Sequence, residues 1–183
     1  MRLTLGDDQA SSLATWKRCG PRERGESAAG IVRYPRDIVV LETPGGKETL
    51  FDNEEERTLS EFQSMRAIEI GPQGSKQLLI VMHVYGTGNV HEWRVLDRKG
   101  GKLRQWHVAD RTPHWSPILK ADEYVGKQVS PGPAVVGGAL VETHAIYAGG
   151  DPNCCPSGGV LLTELDGNDG KIDVVKVWRG PGP

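Results

Sequence analysis

The sequence predicts a mainly β fold, α+β in the loose sense, made of antiparallel meanders and hairpins with one or two short helices. Three observations predict it. The 24 glycines and 12 prolines form close to a fifth of the 183 residues and fall between short apolar runs, which is the punctuation of many turns. From Gln77 to Tyr85 the chain alternates, with Leu78, Ile80, Met82 and Val84 on one face and Leu79, Val81, His83 and Tyr85 on the other. Both faces are mainly apolar, so this is a central strand covered on both sides. Lastly, Val160 to Leu165 and Ile172 to Trp178 flank the polar, glycine-bearing segment Asp166 to Lys171, which reads as a hairpin.

In chain order, Gly6 to Pro21 reads as a short helix, capped by Asp7 or Asp8, presenting Leu13, Trp16 and Cys19 on one face and stopped by Gly20-Pro21. Short strands follow at Ile31 to Tyr34, Ile38 to Leu41 and Glu48 to Phe51, joined by Pro35-Arg36-Asp37 and Pro44 to Lys47. The run Glu54-Glu55-Glu56 sits in a polar segment and reads as a solvated turn. A second meander covers Ala67 to Ile70, Gln77 to Tyr85, Val90 to Leu96 and Lys102 to Val108. Asp110 to Gly138 is irregular and proline-rich, with a strand around Glu123 to Val129, before Leu140 to Tyr147 opens the C-terminal hairpin unit. A single domain, 1–183, accommodates all of this, divisible into a helix-plus-meander unit at 1–52 and a β-rich part at 58–183. The turns Leu96 to Leu103 and Leu165 to Ile172 echo one another as Leu-Asp, three residues, Gly-Lys and an aliphatic residue, with Pro44 to Lys47 a shorter cousin. Hairpin grammar accounts for the echo without shared ancestry.

Composition narrows the function classes. With 37% hydrophobic and 25% charged residues the chain is globular in character. A net charge of -2 supplies no basic field for phosphate, so nucleic acid is not an expected partner. No run approaches the ~20 apolar residues of a membrane span, and the first residues lack the apolar stretch of a signal peptide. The chain is then either cytosolic or exported by a signal that precedes Met1.

Specific chemistries are weakly supported. Asp166 to Gly170 has the oxygen donors of a calcium loop, but Val177 stands where the bidentate glutamate belongs, so an acidic hairpin turn is the better reading. His83, His91, His107, His114 and His144 include no close ligand pair, and Cys154-Cys155 lacks the gap that lets two thiolates share a zinc ion. His83 and His91 could still meet across neighbouring strands. Ser157 is not in a nucleophile elbow, and a cysteine enzyme would need Cys154 or Cys155 beside a base such as His144. Catalytic residues, metal ligands and cofactors are therefore all expected to be none. Trp93, Trp106, Trp115 and Trp178 would be binding anchors if exposed, with two of them expected in the core.

The adjacent thiols Cys154 and Cys155 are the most informative feature. A bridge from Cys19 to either would close a loop of about 135 residues, worth roughly 5 kcal/mol. The alternative is a bond between Cys154 and Cys155 themselves, an eight-membered ring that stiffens the loop and presents a flat apolar plate. Either bond implies an oxidising compartment, whereas in a cytosolic protein the thiols would be reduced. Asp151, Pro152, Asn153, Pro156 and Ser157 frame the pair, and the two prolines favour an ordered turn geometry.

Tyr147 to Gly159 carries Gly-Asp-Pro-Asn-Cys-Cys-Pro-Ser-Gly, which resembles the Gly-Asp-x-x-Cys-Cys-Pro-Ser-Gly signature of the LppP/LprE-like group of bacterial secreted proteins and lipoproteins, with its following hairpin. That resemblance implies an envelope location and a cysteine-stapled β domain; the lipobox cysteine of such lipoproteins is absent here. Separately, Leu3 to Gly6, the helix, Gly20-Pro21 and the strands from Gly30 to Phe51 resemble the helix-and-meander domains of the SmpA/BamE small envelope lipoproteins, which imply protein contacts and no catalysis. Taken together, the expectation is a non-enzymatic protein of the bacterial envelope or periplasm, secreted or periplasmic, that binds another protein by a strand edge or by the stapled loop. The rivals are an intracellular immunity or inhibitor protein with reduced thiols and, third, a cysteine- or metal-dependent enzyme.

Overall fold

A computed structural model describes residues 2–3, 12–27, 30–43, 45–53, 60–71, 76–84, 90–129 and 132–180. Among them the first sheet runs β1 (Arg2–Leu3), β2 (Ser12–Ser27), β3 (Gly30–Thr43) and β4 (Gly46–Asp52), in that spatial order. The second is the meander β5 (Ser60–Ile68), β6 (Gln77–Val84), β7 (Val90–Lys99) and β8 (Lys102–Gln105). After β9 (His107–Val108), helix α1 (Thr112–Trp115) and a 3-10 turn (Ser116–Ile118) lead to β10 (Glu123–Gln128), β11 (Ala134–Val136), β12 (Ala139–Ala148), β13 (Val160–Asn168) and β14 (Lys171–Gly180). The third sheet is ordered β10-β12-β13-β14-β9, with β11 also on β12 and the β14–β9 pair parallel. Mainly antiparallel β architecture is thus observed, and among the described residues helix is confined to α1 and the 3-10 turn that follows it.

The layers are set by β6, which is buried from Gln77 to Met82. Leu78, Ile80 and Met82 enter a core with Ala14, Val39, Leu41 and Phe51 of the first sheet. Leu79 and Val81, one residue out of phase, enter a second core with Leu140, Leu165 and Ile172 of the third sheet. The second sheet is therefore the middle layer, as the two apolar faces of this strand require. A close crossing locks the seam between the second and third layers: a Cβ on Gly71 would lie 2.1 Å from the Gly167 carbonyl oxygen, and one on Gly167 would lie 2.5 Å from the Trp106 ring.

Two expectations are corrected. The helix expected over Gly6 to Pro21 is not formed within the described residues, because Ser12–Ser27 is strand β2, paired with β3; Asp7, Asp8 and their neighbours lie outside the described residues. Alternation explains the strand. Ala14 is buried in the first core, Trp16 stacks on Phe62 at 5.1 Å, and Arg18 reaches Asp37, so every second residue has a partner on the same side. A helix would scatter these three around its axis. Secondly, Ile31 to Tyr34 and Ile38 to Leu41 are one strand, and Pro35-Arg36-Asp37 is no turn. Pro35 faces Pro21 where the register shifts, and neither proline has an N–H to leave unpaired. The Glu54-Glu55-Glu56 turn lies outside the described residues.

The three echoing turns occupy equivalent places, each joining the third and fourth strands along its sheet. Gly100 and Gly101 (φ +58° and +77°) close β7–β8, and Asp169 and Gly170 (φ 44° and 86°) close β13–β14, the double positive φ that matches strand twist. Asp169 takes bonds from Lys99 (2.5 Å) and Arg104 (2.9 Å), which hold its carboxyl at about 2. The acidic hairpin turn thus ties the third sheet to the second.

First and second sheets are joined by the buried carboxylate of Asp37. It accepts from Arg18 Nε (2.8 Å) and Nη2 (2.9 Å), from Trp16 Nε1 (3.3 Å) and from the Phe62 amide (2.9 Å). Asn53 completes the weld, donating to the Ser60 carbonyl (2.8 Å) and accepting from the Asp37 amide (3.1 Å). Replacing Asp37 by Ala leaves the Phe62 amide and the Trp16 indole without an acceptor, so we expect a loss of roughly 3 kcal/mol. The urea midpoint measures it, and a change under 0.5 kcal/mol, about the size of an ordinary surface substitution, would show that the weld is dispensable.

Candidate functional site

The cysteine loop grows out of the end of β12 and returns to the start of β13. Asp151 organises it. Its Oδ2 accepts from the amides of Ala148 and Ser157, both at 2.8 Å, and the Ser157 hydroxyl donates to Oδ1 at 2.9 Å. Those donors, led by the Ser157 amide, hold the Asp151 carboxyl below its ordinary value. Pro152 presets the bend after it, and the Cys155 amide closes a turn on the Pro152 carbonyl at 2.9 Å. Tyr147 donates its hydroxyl to the Asn153 carbonyl at 2.9 Å and stacks on Tyr124 at 5.3 Å. At the exit, Gly158 presses onto β12, where a Cβ would lie 2.6 Å from Ile146 Cγ2. Arg179 of β14 holds the base, donating to the Gly158 carbonyl (2.6 Å) and to Glu123 (2.6 Å).

On this frame Pro152, Asn153, Cys154, Cys155 and Ser157 are exposed, while Asp151 and Pro156 are half-buried. The sulfurs of Cys154 and Cys155 lie within bonding distance of one another, and Cys19 is a free, half-buried thiol on β2. Layer order is the physical reason that Cys19 makes no bridge: it belongs to the first sheet, the loop belongs to the third, and the second sheet stands between them.

A second constellation lies where β7 meets β10 and β12. Glu142, 1% exposed, accepts at Oε1 from Trp93 Nε1 (2.6 Å), Arg111 Nη2 (2.9 Å) and Gln128 Nε2 (3.3 Å), and at Oε2 from Arg111 Nε (2.5 Å). Burial by itself pushes this carboxyl up, but His144, Arg111 and Trp93 together outweigh it and hold the group below its ordinary value. The Arg111 guanidinium lies over the Trp93 ring at 5.3 Å, and Trp115, anchored by its Nε1 to Thr163 Oγ1 at 2.9 Å, tilts against His144 at 4.9 Å. Trp93, Arg111, Trp115, Gln128, Glu142 and His144 line a cavity of about 610 Å³. Glu142 and His144 alternate inward with Leu140, so polar residues at inward positions of an otherwise apolar strand were the signal available in the sequence.

The remaining sites are quickly placed. His83 and His91 do face one another across β6 and β7, with ring centroids 5.3 Å apart, and burial followed by the neighbouring His83 lowers the His91 pKa. His107 and His114 are exposed, and His144 faces Trp115 and Glu142 in the interior. Among the described residues no three His, Cys, Asp or Glu side chains converge to hold a metal ion. Of the four tryptophans named as possible anchors, Trp106 is buried and Trp93, Trp115 and Trp178 are half-buried; the fifth, Trp16, is exposed. No helix among the described residues is long and apolar enough to cross a membrane. A larger groove of about 1190 Å³, lined by Arg66, Glu69, Lys76 and Asp166, holds no buried polar atom lacking a partner among the described residues. No family model, curated protein or solved structure matches the chain.

Two measurements check these arrangements. Because the Glu142 carboxyl is depressed on folding, its stabilisation is present above its ordinary value of 4.5 and is lost as the pH falls through its lower folded value. Glu142→Gln should cost roughly 2 kcal/mol at neutral pH, and the gap in melting temperature from the parent should narrow steadily as the pH drops below 4.5. A gap constant across acid pH would remove the charge from the account. In the loop, Asp151→Ala should speed amide hydrogen exchange at Ala148 and Ser157 while leaving β6 amides protected; unchanged exchange at both would show that the carboxylate does not hold the loop.

Proposed function

We propose that this chain is a non-enzymatic binding domain of the bacterial envelope or periplasm, which holds another protein through the loop from Asp151 to Ser157 with its paired Cys154 and Cys155. The observation that carries this reading is the contrast within the loop: its exposed residues sit on a backbone tied down by Asp151, Tyr147 and Arg179. A loop fixed before contact loses little conformational freedom on binding, which is the physical requirement of a recognition surface. Tyr124, 48% exposed and stacked on Tyr147, extends the same surface with an aromatic anchor. Redox chemistry supports the exported compartment, since an exposed cysteine pair stays oxidised only where thiol reductants are scarce. The Gly-Asp-x-x-Cys-Cys-Pro-Ser-Gly likeness supports the bacterial envelope in particular. The rival reading, an intracellular inhibitor with reduced thiols, uses the same loop without the bond.

Two experiments separate these readings. Protein prepared without reductant and then denatured should titrate a single thiol, that of Cys19; three thiols would sink the oxidised, exported reading. A photo-crosslinking amino acid at Asn153, exposed at the tip of the loop, should yield a discrete protein adduct in the envelope fraction of producing cells. Replacing Cys154 and Cys155 by Ser should diminish that adduct several-fold. An adduct confined to cytosolic proteins would favour the inhibitor reading, and the absence of any would remove the loop as the contact surface.

A further inference from the structure

We infer that the cavity between β7, β10 and β12 is a binding site for a neutral, hydroxyl-rich ligand, a hexose or short saccharide. Its volume, about 610 Å³, lies in the range of small-molecule sites. Two polar atoms of its lining residues are buried with no hydrogen-bond partner, His91 Nδ1 and Gln128 Oε1, while His144 Nε2 lies 3.7 Å from Glu142 Oε2. His91 and His144 are 7% and 8% exposed, so each is more than nine-tenths buried. Native interiors seldom leave such atoms unpaired, and two beside one cavity mark it as a place where a partner is supplied from outside.

The chemistry of these atoms selects the ligand. Gln128 must turn its NH2 toward Glu142, because a carboxylate only accepts, so its Oε1 is left as an acceptor that needs a donor. The neutral His91 imidazole offers one N–H and one lone pair. An anion can only accept and would leave Gln128 unanswered, and a cation would lie against the Arg94 and Arg111 guanidiniums of the lining. Hydroxyl groups both accept and donate, and a ring bearing several of them serves acceptors and donors on different strands at once. Charge agrees: Arg94 and Arg111 are balanced by Glu92 and Glu142 around the lining. The Trp93 and Trp115 rings, locked by Glu142 and Thr163, supply the rigid aromatic walls against which the C–H face of a sugar packs. The site is independent of the cysteine loop, so either reading can fail alone.

The test is titration of the whole protein with D-glucose, N-acetyl-D-glucosamine and maltose, followed by tryptophan fluorescence and calorimetry, with inorganic phosphate and adenosine as comparison probes. The expected result is saturable binding of at least one sugar below ~10 mM. It should weaken about tenfold or more in Gln128→Ala and in His91→Ala, which sit on separate strands so that poor folding of one leaves the other. Val136→Ser, on exposed β11, should bind like the parent. Saturation by phosphate or adenosine alone overturns the assignment, as does the failure of all three sugars, which would give the buried atoms to water. Sugar binding undiminished in the folded variants overturns the placement.

Discussion

Everything in this molecule hangs on the double burial of β6. A strand with apolar side chains on both faces needs two covering layers, and the one-residue phase difference between Leu78-Ile80-Met82 and Leu79-Val81 sends them into different cores. The middle position of the second sheet follows, and with it the distance between the two outer sheets. Each seam is then finished by polar chemistry that apolar burial cannot supply. Asp37 and Asn53 bind the first seam, while Lys99, Arg104 and Asp169 bind the second.

The same layering distributes function. Cys19 and the Cys154-Cys155 loop lie in opposite outer sheets, so the thiols cannot serve as one long staple, and the loop must draw its rigidity from nearer groups. Asp151 does this with three donors from a stretch of ten residues, Ala148 to Ser157. Within the third sheet, Glu142 of β12 gathers Trp93 of β7, Gln128 of β10 and Arg111, which precedes helix α1. One carboxylate organises a local turn, and the other organises a seam between layers. Local turns leave their side chains outside, whereas a seam encloses a cavity.

Legibility in the sequence followed the range of the interactions. The hairpins at Gly100-Gly101 and Asp169-Gly170 were readable because turn chemistry is local, and β6 was readable because alternation is a property of nine consecutive residues, Gln77 to Tyr85. Ser12–Ser27 was misread because Leu13, Trp16 and Cys19 also satisfy a helical spacing, and only the pairing with β3 decides between the two periods. Pro35 misled for a similar reason: a proline signals a turn unless another proline faces it across the ladder. The loop residues Asp151 to Ser157 were found by composition alone, but the dominance of Asp151 among them was not, since a carboxylate's donors cannot be counted from spacing.

What the sequence by itself determined is the class of structure: many short strands, tight glycine turns, a doubly buried central strand, and a constrained loop around Cys154 and Cys155. These rest on local conformational preference and on periodicity, which need no knowledge of partners. The tertiary structure alone decided which sulfurs meet, which strand the N-terminal segment becomes, and that Glu142, Gln128, His91 and His144 share one cavity. The strand and the cavity depend on contacts between residues far apart in sequence, as Trp93 and Glu142 are, and such contacts are selected by the burial of whole faces, not by any residue's own preference.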